Sequence, residues 1–353
     1  MCFSDILWAD MVVGLREIYR ARSRLRGRLR ATPIERSHSL EEICGAEIYL
    51  KLENQQVTGS FKVRGAMNKV LTLSRVEMER GVVAASSGNH AQGVGYVAKE
   101  LGFEATVIVP KNTPKVKIEA IRRYGVKLVV HGEEYIEAER YARALEREEG
   151  KVFISPYNDP EVIAGQGTVG LEMLEEVPEL DVILVPVGGG GLISGIACAV
   201  KGFSERIEVV GVQSIASPVM YESIRRGRII EMELGESIAE GLHGGIEEDS
   251  ITFDICRSLV DEFILVEEDS IREAIRLLAY QQRQIAEGAG AVGVAAILEN
   301  PERFRGRKVG IVISGGNIEG ELLQEILAER PGEKATYIPP RKVYKQKDEE
   351  RFQ

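Results

Sequence analysis

The sequence predicts an α/β fold in which parallel sheets are covered on both faces by helices. Three observations lead there. Short β-rich runs alternate with helical patterns along most of the chain, no fixed-period repeat interrupts them, and glycine-bearing turns follow three strand runs where a helix begins. The amphipathic run Glu47–Leu52 is the first strand, and it leads through Gly59-Ser60-Phe61-Lys62 into a helical run, Val63–Leu73. Val82–Ala85 precedes the helix Ala91–Leu101, and Ala105–Val109 precedes Pro114–Tyr124. Lys127–Val130 is followed by Ile136–Glu148, and Val152–Ile154 by Ile163–Glu176. The apolar strand Val182–Val187 meets the helix Leu192–Phe203. Ile207–Val212 and Phe263–Val266 are the next strands, the latter feeding Ser270–Ala286. Lys308–Ile313 with Ile318–Ala328 completes the alternation.

With 353 residues, 44% of them hydrophobic, the chain can bury a substantial core in two lobes. The net charge of −10, with acids and bases interspersed, argues against a nucleic-acid partner, which needs a basic stripe. The one basic cluster, Arg16 to Arg30, reads as the solvated face of a helix. Cys2, Cys44, Cys198 and Cys256 share no close spacing, so neither a zinc site nor a disulfide framework is expected, and reduced thiols fit a cytoplasmic protein. The apolar start Met1–Gly14 carries Asp5 and Asp10 and no basic leader, unlike a signal peptide. No apolar run reaches membrane-spanning length, so no membrane partner is expected. The tail after Arg330 is rich in proline and charge and reads as an irregular extension.

Four segments carry chemistry. Lys62 follows a tight Gly59-Ser60 turn and a phenylalanine; a lysine denied free solvation loses its proton and attacks carbonyls, although a surface charge fits the same local sequence. Ser86-Ser87-Gly88-Asn89-His90 follows a strand and opens a helix, so it can hold a carboxylate or simply cap that helix. Gly188-Gly189-Gly190-Gly191 lies between a buried strand and an apolar helix, where amides without Cβ atoms converge on an anion, a phosphate above all. A dinucleotide-dependent oxidoreductase is a poor match, because the glycine its fingerprint wants at position 194 is Ser194. Ser314-Gly315-Gly316-Asn317 presents a hydroxyl at a further strand end, or caps the next helix. Together an attacking lysine, a phosphate nest, a carboxylate loop and this serine suit pyridoxal 5'-phosphate.

The ordered motifs at 59–66, 86–90, 188–191, 286–291 (Ala-Glu-Gly-Ala-Gly-Ala) and 314–317 resemble the fold-type II pyridoxal-phosphate enzymes. Within these, the chain is similar from Arg30 to Ala328 to the threonine/serine dehydratases, the group that includes serine racemase. The resemblance implies two lobes: residues 1–81 plus 159–330 as the large cofactor-binding domain and 82–158 as a small inserted one, with 331–353 as a C-terminal extension. It implies that Lys62 carries the cofactor and then takes the Cα proton, and that Phe61 packs on the ring. Asn89 would meet the ring hydroxyl, Gly188 to Gly191 the phosphate and Ser314 the pyridine nitrogen. Gly241 would supply a backbone contact, and Glu287 would lie beside the cofactor. Ser86, Ser87, Asn89 and His90 would receive the substrate carboxylate, with Ser87 on the face opposite Lys62.

The activity so implied is loss of water from a β-hydroxy amino acid: L-threonine to 2-oxobutanoate and ammonia, or L-serine to pyruvate and ammonia. Serine racemisation, a 3-hydroxyaspartate dehydratase and a non-catalytic binder of a phosphorylated ligand are the alternatives. The short form without a regulatory domain is expected, as is a homodimer or homotetramer. No divalent-metal site is expected, because Gln213–Val219 holds no carboxylate where metal-binding relatives have acids. His243, in a segment longer than the family's usual one, reads as a loop histidine before a substrate contact.

Overall fold

The computed structural model describes residues 12–329 and the backbone of 344–345. The expectations for the apolar start and for the tail fall almost wholly outside those residues. Eleven strands form two sheets, of seven and four strands. They are β1 (Ile34–Arg36), β2 (Glu47–Leu52), β3 (Val82–Ala85), β4 (Ala105–Val109), β5 (Lys127–Val130), β6 (Val152–Phe153), β7 (Val182–Pro186), β8 (Glu208–Ser214), β9 (Glu262–Val266), β10 (Lys308–Ile313) and β11 (Tyr344–Lys345).

The seven-stranded sheet has the order β1-β2-β10-β7-β8-β9-β11. Its interior pairs are all parallel, and only the edge strands β1 and β11 run antiparallel. The four-stranded sheet, β5-β4-β3-β6, is wholly parallel. Parallel strands need covering on both faces. Against the large sheet, the helix Gly288–Glu299 packs with Leu50, Leu184 and Ile311 on one side, and the helices Pro160–Glu176 and Gly191–Phe203 pack with Ile183, Val185 and Val209 on the other.

The expected strands are all present, with bounds differing by at most two residues at an end. Two helical expectations need correction. Ser270–Ala286 is not one helix: Glu268–Leu277 ends in a π turn at Leu278–Gln282, and Arg283 takes a left-handed conformation with φ of 55°. Just beyond, the Gln284 side-chain oxygen accepts from both Asn54 and Gln55, each at 3.0 Å. The run Val63–Leu73 stops as a helix at Val70. The helix Gly288–Glu299 was not expected at all; every residue from Gly288 to Ile297 is buried, so it has no polar stripe for a period to show.

The helix Lys62–Val70 lies between the two sheets. Its Val63, Ala66, Met67 and Val70 share a core with Val82 and Ala84 of β3 and with Val94 and Val97 of the helix Asn89–Leu101. Its other side is fixed by charge. Arg64, 2% exposed, donates two bonds of 2.8 Å to Glu53 and further bonds of 2.6 and 2.8 Å to Glu172. Lys51, equally buried, donates to the same Glu172 and to the Thr32 carbonyl. Two buried cations thus face two carboxylates, which is the condition for tolerating charge in a core. Beyond that core, ion pairs join the four-stranded sheet's helices to the rest of the molecule: Lys117, 2.6 Å from Glu240, and Arg143, 3.3 Å from Glu247.

Candidate active site

Because β2 and β10 pair in parallel, the loops leaving Leu52 and Ile313 emerge side by side. Phe61 N–H donates to Ser314 O, Gly316 N–H donates to Gly59 O, and Ser60 and Gly315 form an isolated bridge. These bonds put Lys62, the first residue of its helix, next to the end of β10. The Lys62 amine donates to Pro156 O at 2.9 Å and lies 5.2 Å from the centre of the Phe61 ring. Burial pushes its pKa down to about 8, against the opposing pull of the Glu287 carboxylate. At neutral pH roughly a tenth of such an amine is unprotonated, several hundred times the fraction for an ordinary lysine.

The tetraglycine turn follows β7 and opens the helix Gly191–Phe203. Space decides its composition. A Cβ on Gly189 would lie 2.5 Å from the Tyr157 ring, and one on Gly191 would lie 2.8 Å from Tyr157 Cβ. Gly190 has φ of +87°, and a Cβ there would meet Met220 and Thr252. Gly188 closes on the Gly241 turn, where a Cβ would come within 3.0 Å of Leu242 Cα. Backbone amides at a helix start, stripped of side chains, form an anion cradle. Replacing Gly189 by Val is expected to raise the dissociation constant for pyridoxal phosphate by at least ~10-fold, since the new side chain must displace Tyr157. Fluorescence titration of the variant checks this, and unchanged affinity would mean that the cradle lies elsewhere.

The loop after β3 brings the remaining polar groups to the same place. Ser86 Oγ accepts from Gly88 N–H at 3.1 Å. The Ser87 and Ser314 hydroxyls make no hydrogen bond among the described residues, although Ser314 is only 3% exposed. Asn89 donates to Glu287 and accepts from Asn317, each at 2.7 Å. Glu287 is pushed up to about 7 by burial, against the bonds it accepts. A Cβ on Gly241 would lie 3.7 Å from Glu287 Oε1, so that turn also borders the site.

Two histidines face elsewhere. The His90 ring is buried, with Nε2 donating to Ile154 O at 2.8 Å; burial, with Lys62 nearby, pushes it down to about 3 and keeps it neutral. Any contact that His90 makes with a carboxylate therefore comes from its backbone. His243 is exposed and its Nε2 donates to Gly235 O at 3.0 Å. Gln213 is held by Val187 O, Ser217 O and Tyr221 N–H. Among the described residues no three His, Cys, Asp or Glu side chains stand together as a metal site.

The sequence reading missed Tyr157 and Pro156, which form the wall opposite the glycines and the acceptor for Lys62. Their one signal is the turn cluster Ser155-Pro156-Tyr157-Asn158-Asp159-Pro160 after a strand. Asn317 stood in a quoted motif without a role.

These residues fit pyridoxal phosphate: a depressed amine bonded to Pro156 O, a cradle without Cβ atoms against the adjoining Tyr157, and a Ser314 hydroxyl without a described partner border one site. The chain belongs to the pyridoxal-phosphate-dependent enzymes, whose family profile matches residues 25–315. Its cofactor is accordingly pyridoxal phosphate. It is 45% identical over 316 residues to the L-threonine ammonia-lyase of Thermotoga maritima, covering 90% of this chain and 78% of the relative. It is 41% identical over 319 residues to the catabolic L-threonine dehydratase of Escherichia coli, covering 90% of this chain and 97% of the relative. Maize serine racemase superposes with a TM-score of 0.84 at 34% identity, covering 89% of this chain and 96% of the other.

Proposed function

We propose that this enzyme removes water from a β-hydroxy amino acid, L-threonine and then L-serine, releasing 2-oxobutanoate or pyruvate with ammonia. The observation that carries the reading is the desolvated Lys62 amine, hydrogen-bonded only to Pro156 O, beside the tetraglycine cradle. Similarity to threonine ammonia-lyases over nine-tenths of the chain supports the same substrate class.

When bound, pyridoxal phosphate supplies an electrophilic carbon for the amine and an electron sink that acidifies the substrate Cα–H. Lys62 Nζ would take the Cα proton. Gly188 to Gly191 would hold the cofactor phosphate by backbone N–H groups, Phe61 would pack on its ring with Gly241 at the edge, and Asn89 would meet its ring hydroxyl. Ser314, a neutral hydroxyl, would partner its ring nitrogen without enforcing protonation, which would favour loss of the β-hydroxyl as water. Ser86, Ser87 and the N–H groups at the start of the helix Asn89–Leu101 receive the carboxylate.

Residues 82–158 act as a small lobe inserted in a large one built from 1–81 and 159–330, and they close on substrate to exclude water. On this reading the enzyme is a cytoplasmic homodimer or homotetramer, which light scattering tests for the assembly. No described helix is long and apolar enough to cross a membrane. A second reading, serine racemisation, draws on the Ser87 hydroxyl, which has no described protein partner and can deliver a proton from the second face.

The experiment is an absorbance spectrum of the purified protein before and after L-threonine and L-serine, with 2-oxo acid release and the chirality of residual serine followed together. A borohydride-reducible chromophore on Lys62 and 2-oxobutanoate from threonine are expected. D-serine without 2-oxo acid would favour the second reading, and a protein that stays colourless with added cofactor would leave only a ligand binder.

A further inference from the structure

Glu287 occupies the N-cap position of the helix Gly288–Glu299, with φ of −77° and ψ of 165°, yet its carboxylate makes no capping bond to that helix. A short acidic or polar side chain at this position ordinarily satisfies the first free amides of its own helix. Here Oε1 instead accepts from Asn89 Nδ2 at 2.7 Å, and the carboxylate also accepts from Asn317 N–H. Asn317 Nδ2 donates to Asn89 Oδ1 at 2.7 Å and to Thr58 O at 2.9 Å. The space for this arrangement is made by glycine: a Cβ on Gly315 would stand 2.5 Å from Glu287 Oε1.

The chemistry of the groups removes the usual ambiguity of an asparagine amide. An ionised carboxylate only accepts, so Asn89 must turn Nδ2 toward Glu287, and its Oδ1 then meets the donor Asn317. One N–H on Nδ2 remains free. Without Glu287 the amide can rotate and offer its oxygen to the gap.

We infer that Glu287 is a positioning residue: it locks the Asn89 amide, and with it the first turn of the helix Asn89–Leu101, so that an N–H faces the gap and a carbonyl oxygen does not. This rests on the cofactor reading above, in which Asn89 serves the ring oxygen, and it moves Glu287 from direct cofactor contact to action through Asn89. The charged groups around the carboxylate are Lys62, which favours its ionised form, and Glu240, which opposes it and is itself paired with Lys117 at 2.6 Å. Burial raises Glu287 to about 7, so the stronger, charged acceptor is present above that pH and lost below it.

The test uses the full chain with pyridoxal phosphate as the probe, and two readouts. The first is the dissociation constant by fluorescence between about pH 6 and 8.5. The second is hydrogen exchange of residues 86–92 without the cofactor. For the wild type, affinity should weaken as pH falls through about 7. Glu287→Gln should weaken binding by about tenfold at pH 8, remove the part of the pH dependence centred near 7 while leaving the part that Lys62 imposes near 8, and speed exchange at 86–92. In an Asn89→Ala background the same substitution should add less than about twofold, because the two residues act as one unit. A Glu287→Gln protein that keeps the wild-type pH dependence, or whose effect adds fully to Asn89→Ala, overturns the inference. A wild type that fails to bind pyridoxal phosphate sinks the cofactor reading instead, and the exchange data still decide whether Glu287 holds Asn89.

Discussion

Lys62→Ala should lower 2-oxo acid release from L-threonine by about a thousandfold or more while leaving the fold intact, because on the proposed function both cofactor attachment and Cα proton removal pass through its amine. Lys62→Arg should not rescue, since a guanidinium neither attacks a carbonyl nor gives up its proton. The measurement is steady-state turnover beside circular dichroism of each variant; a loss smaller than about tenfold would exclude Lys62 as the base. The same substitution carries a stability signature in protein free of cofactor. The folded-state pKa of Lys62 lies near 8, below its ordinary 10.5. Folding therefore disfavours the charged form, and that penalty is fully present below about pH 8 and disappears as pH rises to about 10.5. Lys62→Ala should then be the more stable protein at pH 7, by up to ~3 kcal/mol before its lost packing is counted. The gap should close in alkaline buffer, as a series of melting curves would show.

Arg64→Ala should cost ~3–5 kcal/mol of folding stability, since it leaves the buried Glu53 carboxylate without its cation and Glu172 with Lys51 alone. Glu53 is fully buried, and Arg64 supplies both of its charged hydrogen bonds. Arg64→Lys should recover part of this loss, because an ammonium restores the charge but cannot match two carboxylates with a planar fork. Urea unfolding of the three proteins checks the order. An Arg64→Ala midpoint equal to wild type would show that water enters the site and takes over the bonds. Because Arg64 sits two residues from Lys62 on the same helical turn, the alanine variant should also lose activity out of proportion to its unfolded fraction at assay temperature.

Much of the site was legible because its parts are backbone devices with strong local signatures. Four glycines between a buried strand and an apolar helix have few other uses, and Gly189 through Gly191 do lack room for any Cβ. The serine-rich turn after β3 and the Ser314 turn after β10 were found by the same logic, since parallel strands place their carboxyl ends together. The ring of His90 could not be placed because nothing local says which way a ring points; its backbone lies in the loop while its imidazole is committed to Ile154 O. The helix Gly288–Glu299 was invisible to periodicity because both its faces are buried. Ser270–Ala286 read as one helix because nothing in its local pattern marks the π turn at Leu278–Gln282 or the left-handed Arg283.

The sequence by itself determined the alternation of strands and helices, and it singled out the glycine turn and the lysine on which the proposed function rests. Each of these depends on steric and hydrogen-bonding demands that neighbouring residues state openly. Only the tertiary structure decided how that lysine becomes reactive and what steers its partners. Desolvation of Lys62, the Pro156 acceptor, the Tyr157 wall and the bonds joining Glu287, Asn89 and Asn317 all come from segments tens to hundreds of residues apart. Burial and charge at a point in space depend on everything packed around it, and no window of sequence contains that sum.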